Sequence, residues 1–241
     1  MKTKRLRIYA GPNGSGKSVL HHKLSAIVNN YYFVNADILY KELSLKKFYD
    51  FDESGIGVDD YVWKDFVANH GLKDRLEALT GSQIKKNVLK CENNFNSYDV
   101  AVLADFIRNQ LLANGKSFSC ETVFSHPSKL DLLRHAKELG FKTYLYFCCA
   151  GDETVCVERI KQRVEEGGHS VPEEKVRQRF KRSLNNLLPA IKLVDRAYIF
   201  DNSGEESELI IETNKDELKV LSENIPNWIN DVLLSKLINE S

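Results

Sequence analysis

The sequence predicts an α/β fold in which a parallel sheet is flanked by helices. Short apolar runs alternate with segments of helical periodicity along most of the 241 residues, as they do in repeated β–α units. A glycine-rich turn at 11–18 joins the first apolar run to the first helical segment. The run at 143–150 is continuously apolar, which is typical of a central strand buried on both faces. Ligands of such sheets bind outside the carboxyl ends of the strands, so we expect the site there.

The individual elements follow from apolar periodicity and from glycine and proline punctuation. Strands are predicted at 5–10, 31–35, 117–124, 143–150, 196–200 and 208–212. Helices are predicted at 17–28, 36–43, 98–114, 129–139, 152–166 and 172–188. Gly115 and Gly140 stop two of these helices. Asp152 is the expected N-cap of one helix, and Pro172 lies in the first turn of another.

The region from about 44 to 96 is too long for a plain connection, so we predict a helical insertion there. Within it, helical pieces are expected at 59–69, 72–79 and 82–91. The whole chain, 1–241, is predicted to be a single kinase-like domain with this insertion. A C-terminal helical tail is expected over about 215–241, interrupted by Pro226.

Composition narrows the function classes. The 34 basic residues equal the 34 acidic ones, so a nucleic-acid-binding surface is not expected. Five cysteines, an odd number without a CxxC pair, indicate a reduced compartment and disfavour a zinc site. The chain has no signal-peptide core and no apolar run of about 18 residues, so we expect a cytoplasmic protein without a membrane span.

The segment 11–18, Gly-Pro-Asn-Gly-Ser-Gly-Lys-Ser, matches the phosphate-loop pattern G-x-x-x-x-G-K-[ST] in full. Its glycines allow the backbone to wrap around phosphate oxygens, and the N-terminus of the following helix stabilises their negative charge. Lys17 is expected to reach the β- and γ-phosphates of ATP or GTP, and Ser18 to ligate Mg²⁺. The alternative is a glycine-rich turn with a solvated lysine. The predicted nucleotide-binding residues are Gly11, Pro12, Asn13, Gly14, Ser15, Gly16, Lys17, Ser18 and Val19.

Several polar residues suggest a kinase. Motors and switches hold Mg²⁺ with an Asp that ends a core strand, but Asp105 continues into a helix and Asp201 lies near the chain end. Asp37 instead follows the second strand, where a carboxylate can accept a proton from a substrate hydroxyl. Asp37 is equally placed to be a helix N-cap, and the sequence leaves both readings open.

Glu121 and Thr122 lie at the end of the third strand. A Glu in an apolar strand is costly to bury without a partner, so Glu121 either binds substrate hydroxyls or pairs with an arginine. A basic segment interrupted by Gly167 and Gly168 follows the fourth strand. Arginines there suit a closing lid that neutralises the transferred phosphoryl group, and two solvated helix faces are the alternative. The basic residues of this segment are Arg159, Arg163, His169, Arg177, Arg179, Lys181 and Arg182.

Together these pieces resemble the zeta-toxin family of P-loop kinases, in the branch described as predicted ABC-type ATPases. The matching stretches are 11–18, Asn-Ala-Asp-Ile at 35–38, Glu-Thr-Val-Phe-Ser at 121–125, Arg-Val-Glu-Glu-Gly-Gly-His-Ser-Val-Pro at 163–172 and Phe-Asp-Asn-Ser at 200–203. The resemblance spans about residues 5–205. It implies phosphoryl transfer from ATP or GTP to a small hydroxyl substrate. Characterised zeta toxins phosphorylate UDP-N-acetylglucosamine and are restrained by a small helical antitoxin.

The resemblance also implies roles for single residues. Lys17 and Ser18 match the nucleotide and Mg²⁺ residues, Asp37 the catalytic base, and Glu121 a substrate-binding acid. Arg163 resembles the first lid arginine. His169 stands where toxins carry a second lid arginine, and Arg179 resembles a recurrent arginine that could compensate. The insertion falls where substrate-recognising elements would lie, so the acceptor could differ from the sugar nucleotide. A nucleotide-dependent binding module and a nucleic-acid end kinase are the competing functions.

Overall fold

The computed structural model describes residues 3–90, 94–166, 170–215 and 217–239. Two compact units are present, Met1–Asn30 together with Glu121–Ser241, and Tyr31–Cys120. The predicted boundaries of the insertion therefore differ from those of the second unit. Whether the chain is one domain stays a prediction.

The first unit is built on strands and helices in alternation. Its strands are β1 (Arg5–Ala10), the end of β6 (Phe118–Thr122), β7 (Lys142–Cys149), β8 (Arg196–Asp201), β9 (Glu208–Asn214) and β10 (Glu217–Val220). Its helices are α1 (Lys17–Leu24), α5 (Ser128–Glu138), α6 (Glu153–Glu165), α7 (Glu173–Asn185), α8 (Leu187–Leu193), α9 (Asn227–Ile229), a π-helical stretch Asn230–Leu234 and α10 (Ser235–Asn239).

Five of these strands form a sheet in the order β10-β9-β8-β7-β1. β7 pairs in parallel with both β1 and β8, whereas β9 and β10 are antiparallel. Apolar residues on the central strands, such as Ile8, Leu145 and Ile199, are fully buried. The predicted fold class, a mainly parallel sheet flanked by helices, is therefore confirmed.

The second unit contains β2 (Tyr32–Val34), which pairs in parallel with the start of β6, and three further strands. Its helices are α2 (Ala36–Lys46), α3 (Asp60–Asn69) and α4 (Ser97–Ala113), and Phe51–Ser54 and Lys73–Arg75 are 3₁₀-helical. β3 (Phe48–Asp50), β5 (Val88–Lys90) and β4 (Gln83–Lys85) form an antiparallel sheet. Trp63 of α3 and Phe106 of α4 are buried in the core of this unit, with ring centroids 4.9 Å apart.

The helical piece predicted at 82–91 is wrong over the described residues 82–90, which contain strands β4 and β5. Ile84 and Leu89 face one another across the β4–β5 hairpin and are both buried, because apolar residues alternate with polar ones there. Lys86 and Asn87 make the turn with φ values of 50° and 62°. Only a short 3₁₀-helix, Lys73–Arg75, forms within 72–79.

The C-terminal tail also departs from the prediction. It begins with a strand, β10, because Leu218 and its neighbours pair with β9 opposite Thr213 and satisfy backbone hydrogen bonds there. The short helices α9 and α10, with a π-helical stretch between them, follow Pro226, so helical structure within the described part of the tail lies at 227–239.

Candidate functional site

The phosphate loop lies between β1 and α1 and packs tightly against other segments of the first unit. Gly11 has φ 143° and Gly16 has φ 89°, and a left-handed φ of this kind favours glycine. A Cβ atom on Gly11 would lie 2.0 Å from the carbonyl oxygen of Cys148, and one on Gly16 would lie 2.0 Å from Nδ2 of Asn202. The glycines are therefore required by both backbone conformation and space.

Most backbone amides of this loop have no internal acceptor. Within the part of the chain that the structure describes, the N–H groups of Gly14, Gly16, Lys17 and Ser18 donate no hydrogen bond. No side chain caps the N-terminus of α1. The hydroxyl of Ser15 is buried and likewise has no hydrogen-bond partner. A ring of N–H donors at a helix N-terminus fits a phosphate group.

Lys17 is 7% exposed, and its Nζ donates to the carbonyl oxygen of Pro12 at 2.6 Å. Its ammonium group is thus held against the loop itself. Burial raises the pKa of the Cys148 thiol to about 12, and the positive charges of Lys17 and Arg159 oppose that rise. The same two cations oppose the burial that raises the pKa of Cys156 to about 11. Lys17 and Arg159 therefore both bring positive charge to this part of the first unit.

Ser18 and Glu121 contact one another directly. The Ser18 hydroxyl lies 3.2 Å from Oε1 and 3.0 Å from Oε2 of Glu121, and it donates to this carboxylate. Hydroxyl and carboxylate oxygens are the ligands that Mg²⁺ prefers. The hydroxyl of Thr122, by contrast, accepts the N–H of Phe124 at 3.2 Å, which gives Thr122 a role in the turn after β6.

Helix α6, which carries Arg159 of the basic segment, packs against the phosphate loop. A Cβ on Gly14 would lie 2.5 Å from the carbonyl oxygen of Cys156, so α6 packs directly on the loop. Arg159 lies one turn further along this helix and is half-buried. The i, i+4 spacing of Arg159 and Arg163 in the sequence indicates that both lie on one face of this helix. Arg163 is exposed in the last turn of α6.

Ion pairs connect helices α6 and α7. Arg177 of α7 contacts Glu153 of α6 at 3.1 Å and Glu173 at 2.8 Å. Arg179 is half-buried and takes part in no ion pair found among the described residues. The predicted lid residue His169 lies outside the described residues, as do Gly167 and Gly168. The lid function of Arg163 and Arg179 stays a prediction.

Asp37 belongs to the second unit, where the structure resolves one of its two readings. The side chain of Asn35 caps α2, since its Oδ1 accepts the N–H groups of Asp37 at 2.8 Å and of Ile38 at 3.2 Å. The N-cap reading of Asp37 is therefore wrong. Its side chain is exposed and does not accept a helix N–H group. The role of Asp37 as a base stays a prediction.

Two further features describe the chain as a whole. None of the helices in the described ranges has the length and apolar character that crossing a membrane requires. Within the same ranges, no three His, Cys, Asp or Glu side chains are grouped as a metal cluster. Mg²⁺ commonly needs only one or two protein carboxylates when phosphate oxygens supply the rest, so the Ser18–Glu121 pair remains a fitting donor set.

Comparisons with known proteins give a family and a fold for this chain. A family model described as an AAA domain matches residues 6–187. No curated protein matches the chain. The AvrRxo1-ORF1:-ORF2 structure with ATP is 18% identical with a TM-score of 0.56, covering 99% of this chain and 63% of that one. The same complex with sulphate ions is 17% identical with a TM-score of 0.55, covering 90% and 61%.

A third structure, from the PezAT chromosomal toxin–antitoxin system of Streptococcus pneumoniae, is 10% identical with a TM-score of 0.53. It covers 100% of this chain and 84% of that one. The chain thus spans 61–63% of the length of the AvrRxo1 chains that it matches. At these identities the likeness shows the fold, which is that of the P-loop kinases.

Proposed function

The chain belongs to the AAA-domain family, and on that premise we propose that it is a phosphotransferase of the zeta-toxin type. It transfers the γ-phosphoryl group of ATP or GTP to a hydroxyl group of a small molecule, and UDP-N-acetylglucosamine is the first acceptor to test. One observation carries the proposal. Among the residues that the structure describes, four amides of the phosphate loop have no acceptor, and they lie beside a buried lysine and the Ser18–Glu121 pair.

Each group has a chemical task in this proposal. The loop amides and Lys17 bind the β- and γ-phosphates. Ser18 and Glu121 would hold Mg²⁺, which neutralises the charge of the triphosphate. Asp37 accepts the proton of the acceptor hydroxyl. Arg159, Arg163, His169 and Arg179 are the cations for charge that develops on the transferred group, and Glu121 and Thr122 are also the proposed contacts to the acceptor.

A protein partner is part of the proposal. The PezAT structure is named for a toxin–antitoxin system, and its likeness in fold supports a search for a small antitoxin that binds this chain. Co-expression with a candidate small helical antitoxin, followed by size-exclusion chromatography, tests this partner.

The decisive experiment incubates the protein with labelled ATP, Mg²⁺ and a metabolite library that includes nucleotide sugars. We expect a phosphorylated metabolite that K17A does not produce and that D37N produces about 10²-fold more slowly. D37N at the wild-type rate would contradict the assignment of the base. Tight ATP binding without any product would favour a nucleotide-dependent binding module instead.

A further inference from the structure

The peptide bond between Ser15 and Gly16 is held from its carbonyl side. The side-chain amide of Asn202 donates to the carbonyl oxygen of Ser15 at 2.8 Å, and the thiol of Cys148 donates to the same oxygen at 2.8 Å. In a planar trans peptide the C=O and N–H bonds point in opposite directions. Fixing the Ser15 carbonyl therefore also fixes the direction of the Gly16 N–H, one of the amides without an internal acceptor.

Asn202 is itself fixed by its surroundings. Its backbone N–H donates to the carbonyl oxygen of Cys149 at 2.7 Å, at the end of β7. Its side-chain nitrogen fills the space where a Cβ on Gly16 would lie. The side chain of Asn202 is therefore in direct contact with the phosphate loop, although the two are far apart in the sequence.

The residue before it is connected to the C-terminal segment. Asp201 is 8% exposed, and its Oδ1 accepts the indole N–H of Trp228 at 2.7 Å. Its Oδ2 accepts the N–H of Ser203 at 3.2 Å and also the Ser203 hydroxyl. Trp228 belongs to α9 and is itself buried beside Phe147. A hydrogen-bonded connection thus runs from α9 through Asp201 to the turn that carries Asn202.

We propose that Asn202 is a positioning residue, which orients the Ser15–Gly16 peptide for a phosphate oxygen, and that Trp228 sets Asn202 through Asp201. This inference rests on the proposed nucleotide binding. It makes the C-terminal segment a determinant of phosphate affinity. Because the oriented group is a loop amide, the effect applies to the phosphates of the ligand and not to its base.

The test measures dissociation constants of Mg·ATP and of inorganic tripolyphosphate by calorimetry, together with the melting temperature of each variant. N202A and W228F should each raise the dissociation constants of both ligands by about 3- to 10-fold, which corresponds to the loss of one hydrogen bond. D201N, which keeps the shape of the side chain, should do the same and replaces W228F if that variant does not fold.

W63F is the matched control, because Trp63 also donates its indole N–H, to Ser82 at 3.0 Å in the second unit. It should lower the melting temperature and leave both affinities unchanged. Wild-type affinities in N202A, or a weakening of ATP alone, would overturn the role of Asn202. Wild-type affinities in both W228F and D201N would overturn the link to the C-terminal segment. A wild-type protein that binds neither ligand would overturn the proposed function and this inference together.

Discussion

Two nests of backbone N–H groups, one in each compact unit, differ in the groups that accept their hydrogen bonds. In the second unit, the three successive N–H groups of 77–79 donate to the carboxylate of Asp99 over 3.1–3.2 Å. Asp99 is fully buried and also accepts the N–H of Asn96 at 2.9 Å. In the first unit, the N–H groups of Gly14, Gly16, Lys17 and Ser18 have no acceptor within the described part of the chain. We call the N–H groups of 77–79 around Asp99 the closed nest, and those of the phosphate loop 11–18 the open nest. The closed nest serves stability, whereas the open nest leaves its donors for an anion.

Backbone conformation separates the two nests as well. None of the residues at 77–79 has a positive φ, so ordinary side chains are accommodated there. The phosphate loop contains three glycines with positive φ, Gly11, Gly14 and Gly16. The comparison teaches that, of these two nests, the one without an internal acceptor is the one built from conformations that residues other than glycine avoid.

The largest effect is expected when the internal carboxylate is removed. D99A leaves several buried N–H groups without an acceptor, so the free energy of unfolding should fall by about 3–5 kcal/mol. Urea unfolding followed by circular dichroism measures it. D131A is the control, because Asp131 pairs with Arg134 on the surface, and it should change stability by no more than about 0.5 kcal/mol. A loss below about 1 kcal/mol in D99A would show that the closed nest is not a stability element.

Removing the cation of the open nest should affect affinity and spare stability. K17A should weaken tripolyphosphate binding by about 10- to 100-fold, because hydrogen bonds between charged groups are lost. K23A, at an exposed position of the same helix, should bind like the wild type. Equal affinities of K17A and K23A would contradict an anion site in the loop.

The metal dependence of ATP binding is a sharper test of the same nest. S18A should lose about 10-fold of the increase in ATP affinity that Mg²⁺ gives the wild type, while affinity in EDTA stays unchanged. S25A is the control, because the Ser25 hydroxyl donates to the carbonyl oxygen of His21 and accepts the side-chain amide of Asn30, and both contacts are structural. An unchanged Mg²⁺ effect in S18A would exclude Ser18 as a metal ligand.

The smallest effect concerns pH. Burial raises the pKa of the Cys148 thiol from 9.0 to about 12, so the folded state keeps this proton when the unfolded state has lost it. Below the lower value both states are protonated, and stability falls only as pH rises from there towards the higher value. The stability advantage of the wild type over C148A should therefore shrink by about 1 kcal/mol at pH 10. Parallel pH curves for the two proteins would contradict this.

The sequence predicted the phosphate loop because all of its determinants are local. The three glycines, Lys17 and Ser18 are contiguous with a strand and a helix, and each has a separate physical reason to be there. The parallel sheet could be predicted for a similar reason, since apolar runs recur between helices. The family model over 6–187 agrees with that prediction.

Features that depend on distant partners could not be predicted. Asn202 and Cys148 contact the loop across 187 and 133 residues of sequence, and no local pattern signals either contact. The sequence does not predict the β4–β5 hairpin, because its turn, Lys86-Asn87, lacks the glycine that usually marks such turns. β10 exists only by pairing with β9, which outweighs the helical pattern of its own residues.

The cap of α2 has a practical consequence for mechanistic work on this protein. Because Asn35 secures the start of that helix, the side chain of Asp37 can be changed without disturbing a structural hydrogen bond of the helix. A substitution of this side chain is therefore expected to leave the start of the helix intact. A slow D37N protein can be interpreted as a chemical defect, and it could serve to trap an intact triphosphate together with its acceptor for crystallography.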